Sequence, residues 1–194
     1  MNYFTSYPLL LILMLPILSG CVPLVVTGAG VGAGTGTLMS EDRRSSGIYI
    51  EDQAIELKAS RRINEQLGRD VRINVTSFNR NVLLTGEAPN ESMKKEAEKL
   101  AITVENVRNV FNEIAISEKT ALSTRTNDSL ITSKVKGRFL GQRKFQINYV
   151  KVITENSIVY LLGVVTREEG ESAAQIASTT AGVRKVVKVF EYLN

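Results

Sequence analysis

The feature that most constrains this chain is that it contains one pattern twice. Residues 73–86, "INVTSFNRNVLLTG", align with residues 150–163, "VKVITENSIVYLLG", at a constant offset of 77. Val75 matches Val152, Val82 matches Val159, Leu84 matches Leu161 and Gly86 matches Gly163. Further on, "NVRNVFNEIAI" (106–116) parallels "GVRKVVKVFEY" (182–192) at an offset of 76, so the first copy carries one extra residue in between. A repeat of this length makes each copy a structural unit, and whatever folds one must fold the other.

Within each copy the periodicity changes in the same order. A helical stretch comes first, about 52–67 and about 128–141. Ile131, Val135 and Phe139 recur at spacing four and give the second stretch one apolar stripe. Asp52 and Asp128 are read as helix N-caps. Two alternating strands follow, "RINVTSF" and "NVLLTGE" in one copy, "YVKVITE" and "SIVYLLGVV" in the other. Their turns carry Asn79-Arg80-Asn81 and Asn156, where Asn tolerates left-handed geometry. A second helix is expected in "PNESMKKEAEKLAITV", with Pro89 near its start, and in "TREEGESAAQIASTTAG", with Gly182 at its end. A third strand closes each copy. The fold class is α+β: two tandem units, each α-β-β-α-β, with a three-stranded mixed sheet packed against two helices. A unit of roughly 65 residues is near the lower limit for independent folding, so the copies are expected to lean on each other.

Composition removes several kinds of chemistry. The 194 residues contain no histidine and one cysteine. Ser-His-Asp and Cys-His catalysis, His-ligated zinc, a Cys₄ site and an internal disulfide all fall away. No catalytic residues, metal ligands or cofactor are assigned. The charge runs Glu168-Glu169-Gly170-Glu171 and Lys94-Lys95-Glu96 read as solvated helix faces. The segment Gly28-Ala29-Gly30-Val31-Gly32-Ala33 fits a dinucleotide fingerprint only in its small residues. Gly and Thr continue where a helix should open, and no nucleotide is expected. The net charge of +4 is unevenly placed: 51–116 hold 10 basic and 11 acidic side chains, 117–194 hold 12 and 7. Such a basic half suits an anionic membrane surface, where each Lys or Arg is worth about 1 kcal/mol. Sparse aromatic interleaving speaks against nucleic acid.

The lone cysteine, Cys21, ends the apolar run "LLLILMLPILSGC". From Tyr7 to Leu18 the run has the length of a signal-peptide core and is too short to span a bilayer, though no Lys or Arg precedes it. "LSGC" resembles a bacterial lipobox. That resemblance implies cleavage before Cys21 and acylation of its thiol, with Val22 rather than Asp pointing to the outer membrane. The expected organisation is a signal peptide (1–20), a lipidated cysteine with a Gly-rich flexible tether (21–46), and units at 47–117 and 118–194.

The element order, the strand ends Val82-Leu83-Leu84-Thr85-Gly86 and Val159-Tyr160-Leu161-Leu162-Gly163, and the later "[GN]-V-[RK]-x-V" resemble the BON domain. Two such units behind a lipobox are similar to non-enzymatic BON lipoproteins of the outer membrane, which face the periplasm. The resemblance implies binding of anionic, phosphatidylglycerol-like phospholipid through the first helix of the second unit, in support of envelope integrity. Carried over residue by residue, it points to Leu130, Lys136 and Leu140, with tryptophan usual at the place of Leu130. On a helical wheel Leu130, Ser133, Gly137 and Leu140 share a face, with Lys134 and Lys136 near its edges, as an interfacial helix requires. Gly86 and Gly163 are read as structural glycines at strand ends. Partners implied are anionic phospholipid and the outer-membrane assembly machinery or other envelope proteins. The alternative is a periplasmic protein-interaction module or chaperone, like soluble BON proteins.

Overall fold

The computed structural model describes residues 42–118, 122–141 and 145–193, which lie in one compact unit. Cys21, the lipobox and the glycine tract lie outside the described residues. The first copy runs α1 (Ser46–Leu67), β1 (Arg72–Phe78), β2 (Asn81–Ala88), α2 (Glu91–Ile102), β3 (Asn109–Asn112) and β4 (Ala115–Ile116). The second runs α3 (Leu122–Leu140), β5 (Val150–Glu155), β6 (Ile158–Val165), α4 (Arg167–Ser178) and β7 (Lys185–Tyr192). In each copy an antiparallel hairpin, β1–β2 or β5–β6, is followed by a parallel crossover through a helix to the last strand. The sheets are therefore mixed, with β2 and β6 central.

Both first helices begin earlier than the sequence suggests, and Asp52 and Asp128 are not N-caps. The cap of α1 is Ser45, whose Oγ accepts from the Ile48 amide. Asp52 and Asp128 sit inside their helices, 1 % and 4 % exposed, and each points at the turn of its own hairpin. Asp128 accepts the amides of Asn156 and Ser157, both at 2.8 Å. Asp52 accepts those of Asn79 and Arg80 at 2.8 Å and the Ser77 hydroxyl at 2.6 Å. Both turn residues have positive φ in each copy, 51° and 64°, then 50° and 60°. That is the two-residue hairpin turn whose twist matches its strands. Its amides point off the end of the sheet, and a carboxylate from the overlying helix satisfies them.

The second helices are capped by Asn90 and by Thr166, the latter in a reciprocal capping box with Glu169. Register locates the extra residue of the first copy. β2 and β6 keep the offset of 77 while α2 and α4 have shifted to 76, so the insertion falls in the loop at Pro89 and Asn90. Gly182 does not end α4, which stops at Ser178; it lies four residues on, at φ +97°, opposite Asn106 of the first copy at φ 67°. The third strand of the first copy is split in two, unlike β7. Asn112 turns toward α2, donating to the Lys94 carbonyl (3.0 Å) and Glu98 (2.9 Å), and the pairing resumes at Ala115.

Each sheet buries one face under its helices. Ile55, Ala59, Ile63, Ala97 and Ala101 pack on Val82 and Leu84. Ile131, Val135, Phe139, Ala173 and Ala177 pack on Val152, Val159 and Leu161. The opposite faces meet. Phe78 and Leu83 form one cluster with Tyr160, Leu162 and Val189, so the copies share a core. Burying such a side chain contributes about 1.5–3 kcal/mol, which neither copy retains alone. The alternation of β2 would leave Thr85 and Glu87 in water, yet they are 1 % and 2 % exposed. Arg72 makes this tolerable: it grips Glu87 at 2.7 and 2.8 Å and reaches across to Glu155, which also accepts from Asn74 at 2.9 Å.

Candidate functional site

The stripe that fixes α3 to its sheet is Ile131, Val135 and Phe139, each no more than 1 % exposed. Three polar contacts lock the same helix. Asp128 holds the β5–β6 turn, Thr132 Oγ1 meets Thr154 Oγ1 at 2.7 Å, and Arg138 donates to Ile176 O at 2.7 Å and Thr180 Oγ1 at 2.8 Å. The Arg138 cation thus sits at the C-terminal end of α4, where carbonyls lack partners and the helix dipole favours positive charge.

The opposite face of α3 is open. Leu130 is 56 % and Leu140 72 % exposed, and Ser133, Lys134, Lys136 and Gly137 are exposed with them. Ser133 donates its hydroxyl back to the Ser129 carbonyl at 3.0 Å, which spends the polar group inside the helix. A Cβ on Gly137 would meet nothing within 4 Å, so packing does not require glycine there. Neither Lys134 nor Lys136 has a hydrogen bond or ion pair among the described residues. The six residues form one surface with apolar ends, small middle residues and flanking cations. Arg143 and Lys144 lie outside the described residues.

The two glycines are tight. A Cβ on Gly86 would come 2.0 Å from the Arg72 carbonyl oxygen, and φ there is +111°. On Gly163 it would come 2.4 Å from the Tyr149 carbonyl oxygen. Each marks a place where the hairpin partner's backbone passes too close for a side chain.

The short arm before α1 joins the copies. Arg43 donates to Glu169 at 2.7 and 2.8 Å and to Val164 O at 3.0 Å, and its guanidinium lies 3.8 Å from the Tyr149 ring centre. Arg44 turns the other way, to Asp42 and Asp52, and stacks 3.9 Å over Phe78. Adjacent arginines thus hold opposite copies. Sequence periodicity could not reveal this, because the arm precedes both repeats. The matching offset of Asp52 and Asp128 was the one available signal for the turn contacts.

With the doubled architecture in place, comparison with known proteins is decisive about family. The BON domain model matches twice, at residues 51–118 and 127–194. The chain belongs to the BON-domain family. It is similar to the outer membrane lipoprotein DolP of Haemophilus influenzae, 39 % identical over 91 % of both chains. It also resembles the 21 kDa hemolysin of Actinobacillus pleuropneumoniae, 36 % identical over 78 % of this chain and 79 % of that one. The osmotically-inducible protein Y of Escherichia coli is 26 % identical over 72 % of each. Among the described residues no helix is long and apolar enough to cross a membrane.

Proposed function

We propose that this BON protein is a non-enzymatic lipoprotein of the outer membrane, held by acylated Cys21 and facing the periplasm. In this reading the exposed face of α3 binds anionic phospholipid and so supports envelope integrity. The observation that carries the reading is the pairing of Leu130 and Leu140 with two lysines that have no hydrogen bond or ion pair among the described residues, on a helix whose other face is locked. Leucines at both ends enter the headgroup boundary while Lys134 and Lys136 meet phosphates. The similarity to DolP supports the cellular place, since that relative is an outer membrane lipoprotein.

Vesicle sedimentation tests it. Binding should rise with the fraction of anionic lipid and fall with salt. Reversing the charge of Lys136 removes one attraction and adds one repulsion, about 2 kcal/mol together, or roughly thirty-fold in affinity. Lys136→Glu combined with Leu140→Glu should therefore abolish detectable binding. Indifference to anionic lipid, or to both substitutions, would refute it.

A second reading has one observation behind it. On the first copy, Ile102 and Phe111 are 46 % and 40 % exposed and line a groove with Lys95, Lys99 and Arg108. A protein partner docked there would make the chain an interaction module. Crosslinking in envelopes that recovers one defined partner, lost with Phe111→Glu but not with Lys136→Glu, would favour it.

A further inference from the structure

A cleft of about 590 Å³ opens between the copies, next to the site just described and lined by residues of both. Its size is that of an ordinary small-ligand site. Lys136 enters from α3, while Tyr49 and Gln53 enter from α1 of the first copy. Phe78, Ile147 and Val150 supply apolar wall, and Asn148 a polar one.

The charges in this cleft do not cancel evenly. Both acids are already committed: Asp52 to the hairpin turn and Arg44, Asp42 to Arg44 alone. Lys151 is committed to Glu56 at 2.8 Å. Among the described residues lining the cleft, what remains free is one cation, Lys136, with three neutral hydrogen-bonding groups: the Tyr49 hydroxyl and the Gln53 and Asn148 amides. None of the four side chains has a hydrogen bond or ion pair to another described residue. One positive charge beside three neutral donor–acceptors matches a phosphodiester monoanion with a hydroxylated substituent. It matches a dianionic phosphate less well, since that would be left half-compensated beside two carboxylates.

We propose that this cleft is a headgroup site shared by the two copies, taking the phosphate and hydroxyls of a glycerol-type anionic phospholipid. Lys136 meets the phosphate, and Gln53 and Tyr49 of the first copy read the hydroxyls. The proposal rests on the α3 reading above and extends it to α1, which sequence periodicity gave no reason to include. A bilayer is the source favoured over a soluble phosphate ester on two grounds. Lys136 belongs at once to the cleft and to the exposed leucine face of α3. The arm just before α1, Asp42 and Arg44, forms one wall, so the chain enters α1 beside this cleft.

The test is binding of the full chain and its variants to phosphatidylcholine vesicles doped with phosphatidylglycerol or, at equal charge, phosphatidylserine. Gln53→Glu is compared with Asn64→Glu, which adds the same charge on an exposed turn of the same helix outside the cleft. Gln53→Glu should weaken binding to phosphatidylglycerol vesicles about ten-fold, with Asn64→Glu within two-fold of the parent and both melting as the parent does. Phosphatidylglycerol should be preferred over phosphatidylserine about five-fold, and Gln53→Ala should erase that preference. If Gln53→Glu and Asn64→Glu behave alike while Lys136→Glu still weakens binding, the shared cleft is refuted and the α3 surface stands. Indifference to Lys136→Glu overturns the α3 reading itself. Saturable binding of soluble glycerol phosphate, lost in Gln53→Glu, with no vesicle binding would overturn the assignment to a membrane lipid.

Discussion

Asp128→Ala is the most direct probe of what holds the second copy together. The carboxylate is 4 % exposed and accepts two amide hydrogens at 2.8 Å. A net hydrogen bond to a charged group is worth about 1.5–3 kcal/mol, so the gross loss is about 3–6 kcal/mol. Two effects reduce it. Removing a buried carboxylate recovers part of its desolvation cost, and water can reach the turn, where Asn156 is exposed. A net loss of about 3 kcal/mol remains, and for a cooperative unit of this size that lowers Tm by about 6–12 °C. Asp128→Asn keeps one acceptor oxygen and should lose about half as much. Urea unfolding should show a lower midpoint at unchanged slope, and native-state hydrogen exchange at Asn156 and Ser157 should accelerate selectively. A loss under about 0.5 kcal/mol, or unchanged exchange at those two amides, would refute the carboxylate-held turn.

Three further outcomes follow from the same geometry. Gly163→Ala must displace the Tyr149 carbonyl and should cost about 1–3 kcal/mol; Gly86→Ala adds an unfavourable φ to a closer clash and should cost more, read as urea midpoints. The hydrogen bond from Arg43 holds the Glu169 carboxyl below its ordinary value of 4.5, so that clasp is fully formed above this pH and is lost as acid protonates Glu169. Thermal melts of the parent and Glu169→Gln should therefore differ at neutral pH and converge in acid; a gap that persists unchanged would contradict it. Burial, with help from Glu113 and Glu155, pushes the Tyr160 phenol up to about 12. Stability contributed by its neutral form is intact below the ordinary tyrosine value of 10 and declines as pH rises toward 12, and ultraviolet titration should find one tyrosine ionising last, absent in Tyr160→Phe.

Much of the architecture was legible because burial imposes periodicity. The stripe Ile131, Val135, Phe139 and the alternation of the hairpins fixed element types and order, and the repeat offset fixed their number. The errors share a cause. Asp52 and Asp128 look like N-caps because Asp before an apolar stripe usually is one; only the fold reveals that a hairpin turn lies under each. Thr85 and Glu87 fall by alternation on the face of β2 turned away from its helices, and their burial comes from the second sheet closing over them, with Arg72 pairing Glu87. Packing between the copies has no periodic signature: unit size alone gave the expectation that they lean on each other, while the residues of the shared core, the Arg43–Arg44 clasp and the cleft were not legible. Of the α3 face, the residues were legible from the wheel, while the polar contacts that fix the helix beneath it were not.

Superimposing the copies by their offset of 76 separates what the fold demands from what it leaves free. The buried positions agree: Ile55, Ala59 and Ile63 stand where Ile131, Val135 and Phe139 stand, and Asp52 where Asp128 stands. The outer positions do not. Leu130, Ser133, Lys136 and Leu140 face Ala54, Leu57, Ser60 and Asn64 in the first copy. Nothing in the helix-on-sheet packing distinguishes the two faces, since both are directed away from their sheets. Leu130 and Leu140 are more than half exposed. α1 for its part exposes Leu57 at 71 %, where α3 has Ser133, and Lys58 stands where Lys134 stands, so what α3 adds is Leu130, Lys136 and Leu140 in place of Ala54, Ser60 and Asn64. On the proposed reading, a bilayer with anionic headgroups would supply apolar depth for Leu130 and Leu140 and phosphate for Lys136.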